Sequence, residues 1–197
     1  MKVTLKTGII FALIWIVFTF TFHLIFPKTT ELTTVVSMFV NMFLLLSGIS
    51  FGLYFHKKKE EGSKEDKKKK AANEGNALSD IKAAMSVGVP YAVIVSVFMF
   101  FYYNNINPGI IEDLKKPHIE KLKKETSSLK NIAKLKKSNL ELETKTKEEI
   151  YKSGLNTIDA IYNAKFTATL SILGMIFLST IYSILVTVIF RKTIFRS

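Results

Sequence analysis

The sequence contains no cysteine, which excludes disulfide frameworks, thiolate nucleophiles and thiolate metal sites. Histidine is nearly as scarce. His23, His56 and His118 lie in three different segments, and no two stand at the spacing with which a helix face offers a pair of metal ligands. There is no nucleophile elbow, phosphate-binding loop or dinucleotide fingerprint. Carboxylates such as Glu148-Glu149 occur beside lysines in a polar helical stretch, as on a solvated face. The expectation is therefore a chain that is not an enzyme and holds no metal and no cofactor.

The most informative absence is positional. The chain has 28 Lys/Arg and 16 Asp/Glu, yet none falls in Gly8–Phe26, Leu32–Phe55, Ala83–Tyr103 or Phe166–Phe190, stretches of 19, 24, 21 and 25 residues. About 20 apolar residues rising roughly 1.5 Å each cross a hydrocarbon core of roughly 30 Å. A helix buried in a water-soluble domain usually carries a charged face instead. The pattern predicts an all-α integral membrane protein with four transmembrane helices. The net charge of +12 sits beside these spans, where attraction to an anionic lipid surface accounts for it without nucleic acid.

Counting positive charges orients the chain. With the N-terminus inside, that side holds 14 Lys/Arg, and the other side holds 5 within about 15 residues of a span, the zone in which the positive-inside bias operates. Both termini are thus expected in the cytoplasm and the protein in the inner membrane. The first span resembles the start of a secretory signal, but its apolar run is too long and Phe26-Pro27-Lys28 offers no small-residue cleavage site. It is read as an uncleaved anchor.

Five regions follow. Residues 1–55 form a transmembrane hairpin turned at Pro27–Glu31. Residues 56–82 form a cytoplasmic lysine-rich linker, with Lys57, Lys58, Lys59, Lys67, Lys68, Lys69 and Lys70 as topogenic charges. Arg191 and Lys192 play the same part after the last span. Ser79 or Asn76 caps the helix leading into the third span, 83–103. Residues 104–165 form a charged helical segment outside the cytoplasm, and 166–197 the fourth span with its basic tail.

In the 104–165 segment, Asn104-Asn105-Ile106-Asn107 should break the third helix, with Asn107 capping the next and Pro108 in its first turn. Ile111, Leu114, Leu122, Leu129, Ile132 and Leu135 give a partial apolar stripe whose heptad register fails at Lys136 and Asn139. Both ends return to one membrane face, so a bent helical hairpin is expected. Pro117, Ser127-Ser128, Ser138-Asn139 and Gly154 are its candidate breaks. From Leu155 onward the last helix is expected to begin well outside the bilayer.

Within the spans, Gly48-x-x-x-Gly52 and the weaker Ser179-x-x-x-Ser183 let helix backbones approach closely. They serve either packing inside the chain, the preferred reading, or a face for a second copy. Gly88 and Pro90 mark a kink in the third span. Asn41, the most polar group deep in a span, needs an interhelical hydrogen bond worth about 0.6–2 kcal/mol.

Leu78-Ser79-Asp80-Ile81-Lys82-Ala83-Ala84-Met85, the span ending Phe101-Tyr102-Tyr103, the turn Ile106-Asn107-Pro108-Gly109, and a last span containing glycine and closing on Arg191-Lys192 together resemble a family of small bacterial inner-membrane proteins catalogued as domain of unknown function 4199. The resemblance implies four membrane helices with a long charged segment between the third and fourth, and carries over no catalytic residue. The chain departs from it in its lysine-rich inner loop and in few glycines in the first and last spans. The functional expectation is a structural or interaction subunit presenting the charged hairpin to a membrane or envelope protein. The lipid bilayer and anionic headgroups are its further partners. The alternative is a channel or transporter for a neutral or apolar solute.

Overall fold

A computed structural model describes residues 2–26, 31–62, 77–139 and 142–193. Among them there is no strand. The helices are α1 (Lys2–Ile25), α2 (Glu31–Gly62), α3 (Ala77–Phe101), α4 (Gly109–Thr126), α5 (Leu129–Ser138), α6 (Lys147–Ile161) and α7 (Ala164–Thr193), and a π-turn, Tyr102–Ile106, follows α3 directly. Four helical stretches are long and apolar enough to cross a membrane: Val3–Ile25, Thr33–Lys59, Ala77–Ile106 and Ala164–Thr193. The chain is a multi-pass membrane protein. The turn at Pro27–Glu31, apart from Glu31, the residues Lys67–Lys70 and the cap candidate Asn76 lie outside the described residues.

Several boundaries differ from the sequence expectation. α2 continues to Gly62 and α3 begins at Ala77, so both invade the expected 56–82 linker. Lysine is a good helix former, and a membrane helix keeps its hydrogen-bond ladder when the sequence turns polar. Ser79 is inside α3 rather than at its cap. The third helical stretch runs through Asn104 and Asn105 as the π-turn and stops at Asn107. Asn107 gives α4 no side-chain cap; Pro108 holds that position.

The chain gathers into two compact units, Met1–Phe98 with Leu170–Ser197, and Met99–Thr169. In the first, the core is Ala12, Trp15, Leu45, Ile49, Leu53, Ala84, Val87, Tyr91, Ala92 and Val95, while Val17, Phe39, Phe43 and Phe177 are more than half exposed. Large apolar side chains spread over the outside of a bundle would be a liability in water. In lipid they are the solvent-facing surface.

In the second unit α4 and α6 pack antiparallel, with Gly154 against Leu122, Lys115 paired to Asp159 at 2.6 Å and His118 stacked on Tyr162. The chain breaks at Ser127-Ser128, where Ser128 Oγ accepts from Asn131 N–H at 3.2 Å to cap α5, and again after Ser138. Pro117 and Gly154 lie inside α4 and α6 and break neither. Proline here falls in a helix already held by its partner, and Gly154 is where α6 must approach Leu122. Leu129 leaves the expected apolar stripe: it opens α5 and is 84% exposed, whereas Ile111, Ile132 and Ile150 are buried.

α6 ends at Ile161, so the last membrane helix starts at Ala164 and not at Leu155. Asn163 makes this boundary. Its amide donates to the Asp159 and Ala160 carbonyls at 3.1 and 2.6 Å, and its Oδ1 accepts from Phe166 N–H at 2.8 Å.

Candidate functional site

Polar side chains inside the span bundle include Asn41, Tyr91, Ser179, Ser183 and Thr187. Asn41 on α2 accepts at Oδ1 from the Tyr91 hydroxyl on α3 at 2.6 Å. Its Nδ2 lies 3.9 Å from Met175 Sδ on α7. A buried amide is costly in hydrocarbon unless partnered, and here one residue joins three helices. Tyr91 is itself 1% exposed.

The small residues bring backbones together around this point. Gly48 faces Phe11, whose ring would stand 3.2 Å from an added Cβ; Gly52 faces Val87; Gly8 lies under the Val87 carbonyl; and an added Cβ at Gly88 would overlap the Ser179 hydroxyl and press on Ile49. Both glycines of the Gly48/Gly52 pair therefore look onto other helices of the same chain. Ser179 and Ser183 are fully buried and Thr187 nearly so, and their hydroxyls have no hydrogen-bond partner among the described residues. α3 runs unbroken through Pro90.

At one end of this bundle sits an ion cluster. Asp80, in the first turn of α3, has a side chain 7% exposed. Lys57 Nζ from the end of α2 reaches its Oδ1 at 2.5 Å, and Arg191 Nε from the end of α7 stands 3.9 Å from its Oδ2. Ser86 donates to Thr4 Oγ1 at 2.6 Å nearby in sequence, tying α3 to α1. The cluster places the C-terminal ends of α2 and α7 and the N-terminal end of α3 together, as an alternating path of spans requires.

A family profile described as Protein of unknown function (DUF4199) matches residues 6–192. The chain belongs to that family. The DUF4199 match takes in the hairpin and all but the outermost residues of the four spans, in keeping with the resemblance carried by Leu78–Met85 and Ile106–Gly109. Comparison with curated proteins and with solved structures returns no match.

In this DUF4199 chain the residues marked from sequence fall into three settings. Asn41, Gly48, Gly52, Gly88, Ser179 and Ser183 share the bundle interior or its helix contacts. Lys57 and Arg191, marked only as topogenic charges, meet at Asp80. Lys58, Lys59 and Lys192 are exposed, and Lys67–Lys70 lie outside the described residues. Sequence reading missed Asp80 and Tyr91. Asp80 had a signal, being the one carboxylate within the six residues before the third span. Tyr91 had only its depth in that span.

In the hairpin, Thr146 and Glu149 close a reciprocal cap on α6. Thr146 N–H donates to Glu149 Oε2 at 2.7 Å, and Glu149 N–H donates back to Thr146 Oγ1 at 3.3 Å. These hydrogen bonds hold the Glu149 carboxyl below the usual carboxylate range. Lys116 is pushed above the ordinary lysine range by its bond to Asp113.

Proposed function

We propose that this chain is a structural or interaction subunit. Four spans with both termini cytoplasmic hold it in the inner membrane, and the helical hairpin is presented on the far side to a membrane or envelope protein. The observation that supports this reading is that Met99–Thr169 forms a compact unit of its own, stapled by Lys115–Asp159 and His118–Tyr162 while Glu120, Lys121, Lys123 and Lys137 face outward. Ordering a segment costs roughly 1–2 kcal/mol of backbone entropy per residue, a large outlay for a mere connection. The reading assigns the chain no catalysis.

Photo-crosslinkers at Glu120 and Lys137 should yield a discrete protein adduct in intact membranes, and one at lipid-facing Phe177 should not. Adducts from all three positions alike, or from none, would defeat the proposal. Because the chain lacks cysteine, Lys58→Cys and Lys137→Cys also test the orientation without background. The first should resist an impermeant thiol reagent in whole cells and the second should label.

A second reading, a path for a neutral solute, draws on Asn41, Tyr91 and the Ser179, Ser183 and Thr187 hydroxyls inside the bundle, which have no hydrogen-bond partner among the described residues. It predicts that reconstituted vesicles gain permeability to small uncharged solutes and that Tyr91→Phe changes the rate. The subunit reading predicts vesicles as tight as protein-free ones.

A further inference from the structure

We propose that the exposed face of α5, at the tip of the hairpin, is the docking surface for an acidic segment of the partner protein, its lysines meeting carboxylates and Leu129 meeting an apolar side chain among them. The inference rests on the subunit reading above and gives that partner a chemistry.

Charge is not spread evenly over the hairpin. From Lys121 to Ser138 there are seven lysines and a single carboxylate, Glu125, whereas the rest of residues 104–165 holds six lysines and eight carboxylates. The body pairs cations with anions: Lys115 with Asp159 and Lys116 with Asp113. At the tip Lys121 stands 3.9 Å from Glu125, and Lys136 donates to the Glu143 carbonyl. Lys123, Lys124, Lys134 and Lys137 are exposed there and make no ion pair among the described residues.

Helix dipoles account for part of this distribution. Lys123 and Lys124 close α4, and Lys136 and Lys137 close α5, where cations suit the C-terminal end of a helix. They account neither for Lys134, which precedes the last turn, nor for Leu129. That side chain is 84% exposed, more than any other large apolar side chain among the described residues, those on the spans included. Leu129, Ala133 and Lys137 follow at four-residue intervals along one exposed face with Lys134 beside them, while Ile132 is buried. An apolar group set among like charges is completed by a surface of opposite charge, which steers the encounter while the apolar contact anchors it.

Three occupants compete for such a face. A second copy of this chain would bring the same lysines against themselves. A bilayer takes up an amphipathic helix through a broad apolar face, and here Ile132 is already buried inside the hairpin. α4, 18 residues and about 27 Å long, also separates Leu129 from the span-bearing end of the unit, well beyond the roughly 8 Å screening length of physiological salt. An acidic protein segment meets neither obstacle.

A photo-crosslinker in place of Leu129 in the full-length protein, irradiated in intact membranes, should give a protein adduct. Mass spectrometry of the digested adduct should place the link in a segment where Asp and Glu outnumber Lys and Arg. Adding Lys124→Gln, Lys134→Gln and Lys137→Gln should cut its yield about tenfold, the lower range of electrostatic steering. Lys147→Gln with Lys152→Gln and Lys165→Gln removes as many charges from exposed positions elsewhere on the unit and should leave the yield within about twofold, as dispersed surface charges do. A monodisperse elution profile reports that each variant is folded.

A link to a neutral or basic segment, to a second copy of the chain or to lipid alone would overturn the proposal, as would equal losses in the two triple variants. An adduct from Glu120 with none from Leu129 would overturn it and leave the subunit reading standing; silence at both positions would remove both.

Discussion

The span bundle and the hairpin use opposite means to reach the same end, a defined helix contact. In the bundle the contacts are made by what side chains lack: Gly8, Gly52 and Gly88 admit a neighbour's backbone or side chain where a methyl group would collide. Lipid is as apolar as leucine, so burying leucine there gains little and close packing takes over. In the hairpin the contacts are made by what side chains carry: an ion pair, a stacked phenol and imidazole, and one reciprocal cap. Water competes for each of those groups, so each is worth little alone and several are needed. The two units show how solvent, rather than helix type, dictates which chemistry can hold helices together.

The sharpest way to break this comparison is Gly88→Leu. Ser179 and Ile49 leave no space, so the substitution should cost about 3 kcal/mol or more and abolish a monodisperse bundle in detergent. Gly174→Leu, where an added Cβ meets nothing within 4 Å among the described residues, should leave elution and melting unchanged. Next in size is Asp80→Ala, which leaves Lys57 and Arg191 without their shared carboxylate. Because both cations are partly exposed, the expected loss is about 2 kcal/mol, below the roughly 3–5 of a fully buried pair. It is read as a lower melting temperature in detergent.

Tyr91→Phe removes only the bond to Asn41 and should cost about 1 kcal/mol, again confined to the bundle. Thr146→Ala should cost the hairpin about 1 kcal/mol through the lost cap. Amide exchange should quicken in α6 and stay unchanged in α1 and α2; quickening in both units would deny their independence.

The smallest effect is one of pH. The folded-state pKa of Glu149 lies below its unfolded value, so its cap contributes fully above the unfolded carboxylate range and is lost as pH falls through the lowered folded value. Lys116 has the opposite sign: its raised pKa means a contribution present below the ordinary lysine range and lost as pH rises through the folded value. Protection of the hairpin amides, taken relative to the intrinsic exchange rate at each pH, should therefore fall at both extremes, and Thr146→Ala should remove the acid limb.

What could be read in the sequence follows the same division. The four spans were legible because charge in hydrocarbon is so costly that its absence alone draws their outlines, and Asn41 stood out for the same reason. The ion cluster was not, since Lys57 and Arg191 look like any flanking charges until folding brings α2 and α7 to Asp80. In the hairpin the Ser127-Ser128 break was visible as local chemistry. Pro117 and Gly154 were misleading, because a partner helix overrides the preferences of single residues there. The start of the last helix was missed because it depends on one amide, Asn163, and not on any change in hydropathy.

That amide has an asymmetric chemistry. The NH2 group of Asn163 terminates α6 and its oxygen initiates α7, so the two events rest on opposite ends of a single side chain. An aspartate in its place keeps an acceptor for the membrane helix and surrenders the donors that finish the preceding one. The punctuation between a water-facing helix and a lipid-facing helix is thus written in one residue, and its two halves can be edited independently.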